Sequence, residues 1–507
     1  MLQGTGSNVG KSALVAGLCR IYWRRGLKVA PFKAQNMALN SFITPQGDEI
    51  GRAQAVQAEA CGLEPHVDMN PVLIKPNSDV GAQVIVHGKP VANMSAVVYH
   101  DYKETAWQAV LSSLKRLREE YELVIIEGAG SPAEINLRDK DIVNMGLATR
   151  VKAPVLLIGD IDKGGVFASL VGTLELLEVD ERELIKGFIV NKFRGDVSLL
   201  EPGLEMITAR CGVPFVGVVP WFGKEIYLPE EDGVALESGA QKGLCEADSA
   251  ADATLAIAVI RLPHISNFTD FDPLLHEPHV RLDYLEPQSP LAGYHLIILP
   301  GSKNTLADLA FLQEVDLPRR LKAFSEAGGA VVGICGGFQM LGRSLRDPGM
   351  IESGCGEIEG LGLLPVITEM APEKITVQCR ARVVASDFGR DLEVQGYEIH
   401  QGRTFLQGTA ESLLQVTQTD GLQYDDGFIV DHGRVWGSYM HGIFDDDSFR
   451  TAYLNWLREA LASGWQSAKV EVPGKPYKQR KEDGLNALAE LLLRSLDMKI
   501  IDQLVGL

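Results

Sequence analysis

Residues 330–341 read AVVGICGGFQML, and this short stretch decides more of the fold than any other. Apolar, β-favouring residues run into Cys335, glycines stand at Gly333, Gly336 and Gly337, and FQMLGRSL then opens with helical character. A strand that turns sharply into a helix needs small residues where backbone meets backbone. Such a turn lifts a nucleophilic side chain above the edge of a sheet. It also aims the thiol at a helix N-terminus, a setting in which cysteines become nucleophiles.

A thiolate needs a base and donors for the oxyanion it creates. His441 in SYMHGIF follows an apolar run and is the expected base, with His400 in GYEIHQG as its rival. The turn LPGSKNT (299–305) ends another strand signal, so the amides of Gly301 and Ser302 are placed to join that of Gly336 in an oxyanion hole. Cys19, Cys61, Cys211 and Cys379 lack this context and read as buried, inert thiols.

Around the cysteine lies an alternating α/β pattern: strand signals at 254–263, 294–301, 330–337, 360–366 and 435–444, then helical residues 446–464. The first 220 residues carry a second such pattern. Strand signals fall at KVAPFK, 123–130, 153–162, 186–193 and 214–220, with helical periodicity over 103–121. KVAPFK, 123–130 and 153–162 end in Lys, Gly and Asp, and Asn191 lies near the end of 186–193, where the carboxyl edge of a parallel sheet holds ligands. Between the two sets, 231–253 is acidic, small and patternless. The expected organisation is α/β with two doubly wound domains: 1–230, a linker 231–253, a second domain 254–465, and an extension 466–507. That extension includes a docking helix with leucines at i, i+3, i+4 spacing over 485–504.

Residues 4–12, GTGSNVGKS, form a lengthened phosphate loop that opens a helix. Gly4 and Gly10 free the backbone for close approach, Lys11 reaches the outer phosphates, and Ser12 is a ligand for Mg²⁺. Only Met1, Leu2 and Gln3 precede Gly4, so the first strand is either very short or starts upstream of this sequence. Magnesium at nucleotide phosphates wants one or two carboxylates besides the hydroxyl. Glu127 at a strand end is placed for that, and Glu49 is preferred over Asp48 as the second. Lys33 ends the neighbouring strand and is expected to stabilise charge in phosphoryl transfer; Asn191 is expected at the nucleotide base. Arg52, Lys75 and Arg138 are loop cations available to substrate carboxylates.

A net charge of −19 argues against a nucleic-acid partner, which needs a basic face. No apolar run approaches a membrane span, and seven scattered cysteines without a C-x-x-C pair suit a reducing cytoplasm.

Two resemblances follow from these motifs. The lengthened loop resembles dethiobiotin synthetase and its relatives; the partition ATPases carry a further lysine where this chain has Gly6. G-x-C-x-G-x-Q over Gly333–Gln339, with a downstream histidine, resembles a class I glutamine amidotransferase domain. The usual glutamate two residues after the histidine is here Ile443, a departure that marks the corrinoid amidases. Together, PFKAQNMALNS, EIGRAQAVQAEA, EGAGSPAEINL, GDIDKGGVFASL, NKFRGD and LPGSKNT make the chain similar to the cobyric acid synthase family. More distantly, it is similar to cobyrinic acid a,c-diamide synthases. The resemblance implies an N-terminal P-loop NTPase-like parallel sheet and a C-terminal amidotransferase-like sheet. It further implies ATP and Mg²⁺, glutamine as nitrogen donor, and amidation of the b, d, e and g carboxylates of adenosylcobyrinic a,c-diamide. Two readings of other kinds stand beside it: a nucleotide-switched assembly protein with an inactive amidotransferase appendage, and a thiol hydrolase with a regulatory ATPase.

Overall fold

The runs Val29–Lys33, Leu123–Glu127 and Val155–Asp160 are apolar almost from end to end, as strands covered on both faces must be. In the computed structural model they are the heart of a parallel sheet. It describes residues 1–76, 81–223, 225–229, 254–352, 356–418, 421–461 and 474–507. The expected linker at 231–253 lies outside the described residues.

The chain divides into two units, one of Met1–Ala38, Glu49–Pro229 and Gln479–Leu507, the other of Leu39–Asp48 and Glu230–Lys478. Two stretches thus fall across the expected boundaries: Leu39–Asp48 of the N-terminal half belongs to the second unit, and most of the C-terminal extension belongs to the first.

The main sheet of the first unit has six strands, β1 (Leu2–Gly4), β2 (Val29–Lys33), β3 (Leu123–Glu127), β4 (Val155–Asp160), β5 (Ile185–Phe193) and β6 (Phe215–Pro220). Their order is β6-β5-β4-β1-β3-β2, all parallel. Strand β1 has only three residues, but it is central, aligned on Leu156–Ile158, and delivers Gly4 to the carboxyl edge. The order reverses at β1, and ligands bind at such a switch point.

The helix Lys11–Arg24 packs against the C-terminal helix Tyr477–Ser495, where Leu485, Leu488, Ala489 and Leu492 share a core with Leu14, Val15 and Leu18. A Cβ at Gly17 would lie 2.4 Å from the Leu492 side chain, so the two helices approach closely there. The single helix expected over 485–504 is instead two. The second, Met498–Val505, is started afresh by Asp497, whose carboxylate accepts the Lys499 and Ile500 N–H groups. Leu488 is fully buried. Leu488→Ala is therefore expected to cost about 2–5 kcal/mol in chemical denaturation of the first unit, since removing the branched side chain leaves a cavity.

In the second unit β7 (Leu255–Ile260), β8 (Val280–Leu285), β9 (Leu296–Leu299) and β10 (Ala330–Ile334) run parallel in the order β8-β7-β9-β10. Further on come β11 (Val366–Val383), β12 (Glu393–Leu406), β13 (Glu411–Gln418), β14 (Gln423–Val430) and β15 (Val435–Ser438). Strand β15 pairs in parallel with β10 and antiparallel with β14, which continues the sheet through β13 to β11 and β12. This antiparallel arm has no counterpart in the sequence reading. The strand expected at 360–366 begins only at Val366: Gly362 adopts φ 66, and Leu361 and Leu364 are buried without being extended. Among the described residues no helix is long and apolar enough to cross a membrane.

Candidate active sites

Cys335 sits between β10 and the helix Gly336–Leu341 at φ 51, ψ −106. An L-residue adopts that region at a cost of about 1–3 kcal/mol, which surrounding structure must enforce. The Cys335 N–H donates to the Ser438 carbonyl at 2.8 Å, tying the turn to β15. A Cβ on Gly333 would meet the Gly337 backbone at 2.6 Å, and one on Gly337 would lie 1.9 Å from the Leu299 carbonyl oxygen. The glycines are there because nothing larger fits.

His441 follows β15. Its backbone exchanges hydrogen bonds with Tyr397 (2.9 and 3.2 Å), and its ring stacks on Tyr397 with centroids 5.2 Å apart. Nδ1 lies 2.6 Å from Asp270 Oδ2, while Asp270 Oδ1 accepts the Gly442 N–H at 3.2 Å. Burial works against a charged imidazole here. The neighbouring charges of Asp270 and Cys335, each also within hydrogen-bonding reach, outweigh it and push His441 up to about 10. His441 is thus built to stay protonated beside the sulfur, where it can give a proton to a departing amine.

The rival histidine is engaged elsewhere. His400 has Nδ1 on the Gly402 carbonyl at 2.9 Å and Nε2 3.4 Å from Glu398, and it stacks on Tyr439. The expected oxyanion donors do adjoin the elbow. A Cβ on Gly336 would lie 2.8 Å from the Ser302 amide nitrogen, and one on Gly301 would lie 3.2 Å from His441 Cε1. The Ser302 hydroxyl donates to Asp308 at 2.6 Å, which fixes the turn.

Asp270 is the residue that sequence reasoning missed. Ile443, at the position where the resemblance to class I glutamine amidotransferase domains implies a glutamate, is buried and begins a 3₁₀ turn. The acid comes instead from the turn Phe268–Phe271, far upstream. Its signal in the sequence is an acid between two phenylalanines in NFTDFD, a polar group in an apolar turn.

In the first unit the phosphate loop is braced from several sides. Lys11 Nζ donates to the carbonyls of Gly6 (2.9 Å) and Gly130 (3.2 Å). Ser12 Oγ donates to Glu127 Oε1 at 2.8 Å, and Lys33 Nζ lies 2.8 Å from the same oxygen. Gln57, also unforeseen, donates to Glu127 Oε2 at 2.6 Å. Ser12, Lys33 and Glu127 are therefore brought together; Glu49 is engaged by Lys75 at 2.8 Å, with both side chains buried. Asn191, expected at the base, braces the loop: its Nδ2 donates to the Val9 carbonyl at 2.8 Å. Gly10, at φ 96, has the same Nδ2 2.2 Å from where a Cβ would stand. Arg138 is engaged by Glu178, Glu181 and the Leu176 carbonyl.

The serine hydroxyl and strand-end carboxylate are an oxygen donor set that fits Mg²⁺, which keeps most of its shell for water and phosphate. Among the described residues no group of three or more His, Cys, Asp or Glu side chains is clustered for a metal.

A phosphate loop facing a strand-end glutamate, in one chain with a cysteine elbow facing a buried histidine, defines a glutamine amidotransferase joined to a nucleotide-binding domain. Residues 256–449 match the CobB/CobQ-like glutamine amidotransferase domain and residues 1–231 the CobQ/CobB/MinD/ParA nucleotide binding domain. The chain is 50% identical to the cobyric acid synthase of Desulfitobacterium hafniense (strain DSM 10664 / DCB-2), covering 100% of this chain and 98% of that one. It is 47% identical to that of Syntrophobacter fumaroxidans, with the same coverage. To that of Desulforudis audaxviator it is 49% identical, covering 100% of this chain and 99% of the relative. The chain belongs to the cobyric acid synthase family.

Proposed function

We propose that the protein amidates the b, d, e and g carboxylates of adenosylcobyrinic a,c-diamide, using ATP and glutamine. The observation that carries this reading is the Cys335–His441–Asp270 arrangement in a chain that also holds the Ser12–Glu127 pair at a phosphate loop. The full-length likeness to cobyric acid synthases supports the choice of substrate over the a,c-diamide regiochemistry. An inactive appendage would have no use for a strained cysteine facing an imidazolium.

In the glutamine unit Cys335 Sγ attacks the side-chain amide, and the amides of Ser302 and Gly336 receive the oxyanion, with that of Gly301 beside them. His441 gives its proton to the departing ammonia, leaving a thioester that water hydrolyses to glutamate. In the nucleotide unit Lys11 holds the outer phosphates and Lys33 offsets charge as the γ-phosphoryl group passes to the substrate carboxylate. Magnesium held by Ser12 and Glu127, with Glu49 as a further candidate, would neutralise phosphate charge. Ammonia then displaces phosphate from the acyl phosphate. Activation is required because hydroxide is a poor leaving group from a carboxylate and phosphate a good one. The corrinoid's cobalt arrives with the substrate.

Mass spectrometry of adenosylcobyrinic a,c-diamide after incubation with ATP, Mg²⁺ and glutamine tests this: successive replacement of OH by NH₂ at the remaining carboxylates is expected. An unchanged substrate beside a working ATPase would sink it. Glu127→Gln keeps the hydrogen-bonding shape but removes the charge and one oxygen donor. It is expected to raise the Mg²⁺ concentration giving half-maximal activity by about 10–100-fold, read from Mg²⁺ titrations of the ammonium-driven reaction.

A further inference from the structure

The residues Leu39–Asp48 are flanked in sequence by the nucleotide unit on both sides, yet they fold into the amidotransferase unit. They meet it at the histidine. Asn40 Oδ1 accepts the Phe268 N–H at 3.2 Å, and Asn267 Oδ1 accepts the Ser41 N–H at 3.0 Å, so two asparagines exchange hydrogen bonds between the segment and the turn. Asn267 stands at φ 51, and its carbonyl closes the 3₁₀ turn by accepting the Asp270 N–H at 3.0 Å. Its Nδ2 lies 3.5 Å from His441 Nε2. Tyr397, stacked on the imidazole, donates its hydroxyl to the Ser41 carbonyl at 3.4 Å and packs on Phe42. Farther along, Thr376 Oγ1 donates to the Gly47 carbonyl at 2.9 Å and fixes the end of the segment.

Asn40, Ser41, Asn267, Asp270 and His441 are all buried. Buried polar side chains in protein interiors are kept hydrogen-bonded, and those that hold one backbone turn in one place specify geometry. Here the turn held is the one that carries Asp270. The Asn40 side chain that holds it comes from the segment 39–48, more than two hundred residues upstream of the turn.

We propose that Asn40 is a positioning residue for glutamine hydrolysis: through the Phe268 N–H it sets the turn that aims Asp270 at His441. The inference rests on Cys335 and His441 acting as described above. The segment Leu39–Asp48 is thus a part of the glutaminase encoded within the synthetase half of the chain.

The test compares three variants of the full-length protein, each assayed with glutamine and with ammonium as nitrogen donor. Asn40→Leu keeps the branched heavy-atom shape and loses the acceptor; it is expected to lower kcat with glutamine about tenfold to a hundredfold, the scale of an ångström's misplacement at a reacting group. Ammonium-driven amidation stays at the wild-type rate. The alkaline limb of kcat/KM for glutamine moves down, because a displaced Asp270 no longer holds the His441 proton as well. Asn40→Asp keeps the acceptor oxygen and recovers most of the rate. Asn40→Ser, too short to reach, gives the same split as Asn40→Leu in a chain that keeps a polar group at the site. A wild-type glutamine rate and pH limb in both Asn40→Leu and Asn40→Ser overturns the proposal, as does an equal loss with glutamine and ammonium. Persistence of glutamine-driven activity in Cys335→Ala would be a separate failure, that of the underlying reading.

Discussion

Cys335→Ala is expected to lose glutamine-driven amidation by about four orders of magnitude or more while keeping the ammonium-driven reaction near the wild-type rate. The size follows from what is removed. Without the sulfur no thioester forms, and the oxyanion donors and substrate binding alone leave about 10³–10⁴-fold over water, far below the complete site. The selectivity follows from the fold. Cys335 lies in the second unit, whereas Lys11, Ser12, Lys33 and Glu127, which serve the phosphoryl transfer, lie in the first. The exchange is also conservative for folding, because alanine fills less space in a turn already crowded by glycines. Alanine must still hold φ 51, the same strain the cysteine accepts. The measurement is a pair of initial rates, glutamine against ammonium, with glutamate release followed in parallel. If glutamine-driven amidation survives, the nucleophile lies elsewhere.

What the sequence discloses and what it hides can be separated by locality. Cys335, Lys11 and Ser12 were legible because each depends on neighbours within a few residues: glycines for the turn, a strand before, a helix after. His441 was legible as a histidine at a strand end, and β15 is the strand. Asp270 was not, because its partner lies 171 residues away and the eye is drawn to Ile443. Glu49 reads as a loop acid, but Lys75 takes it; a buried ion pair between distant positions leaves no pattern. Asn191 ends an apolar strand as expected, yet where its amide points depends on the height of Val9, a tertiary matter. The destination of Leu39–Asp48 was hidden for the same reason: short segments take their fold from whichever core they join. Gly360–Val366 misled in the opposite way, since leucines buried in a core mimic a strand when glycine and proline bend the backbone between them.

Asp270→Asn provides the sharpest test of the histidine. The amide is nearly the same size as the carboxylate, but its single oxygen can accept from either Nδ1 or the Gly442 N–H and not from both; the turn itself is still closed by the Asn267 carbonyl. What disappears is the negative charge. In the parent protein burial alone would lower His441, and the charges of Asp270 and Cys335 reverse that and push it up to about 10. Removing the first of those charges disfavours the protonated ring, so its pKa must fall toward the ordinary histidine value of 6.5. The alkaline limb of kcat/KM for glutamine, set by loss of the proton that His441 gives to departing ammonia, is therefore expected to move down from about 10. An asparagine can also turn its NH₂ toward the ring and stabilise the wrong tautomer. For a serine triad that change costs about 10⁴-fold, and a thiol, more acidic than a hydroxyl, should feel it somewhat less, on the order of 10³-fold in glutamine-driven kcat. Asp270→Glu retains the charge at a displaced position and is expected to keep the alkaline limb high while losing rate. If Asp270→Asn instead lowers the rate with no movement of the limb, the carboxylate only braces the turn. The proton on His441 would then be held by the sulfur alone.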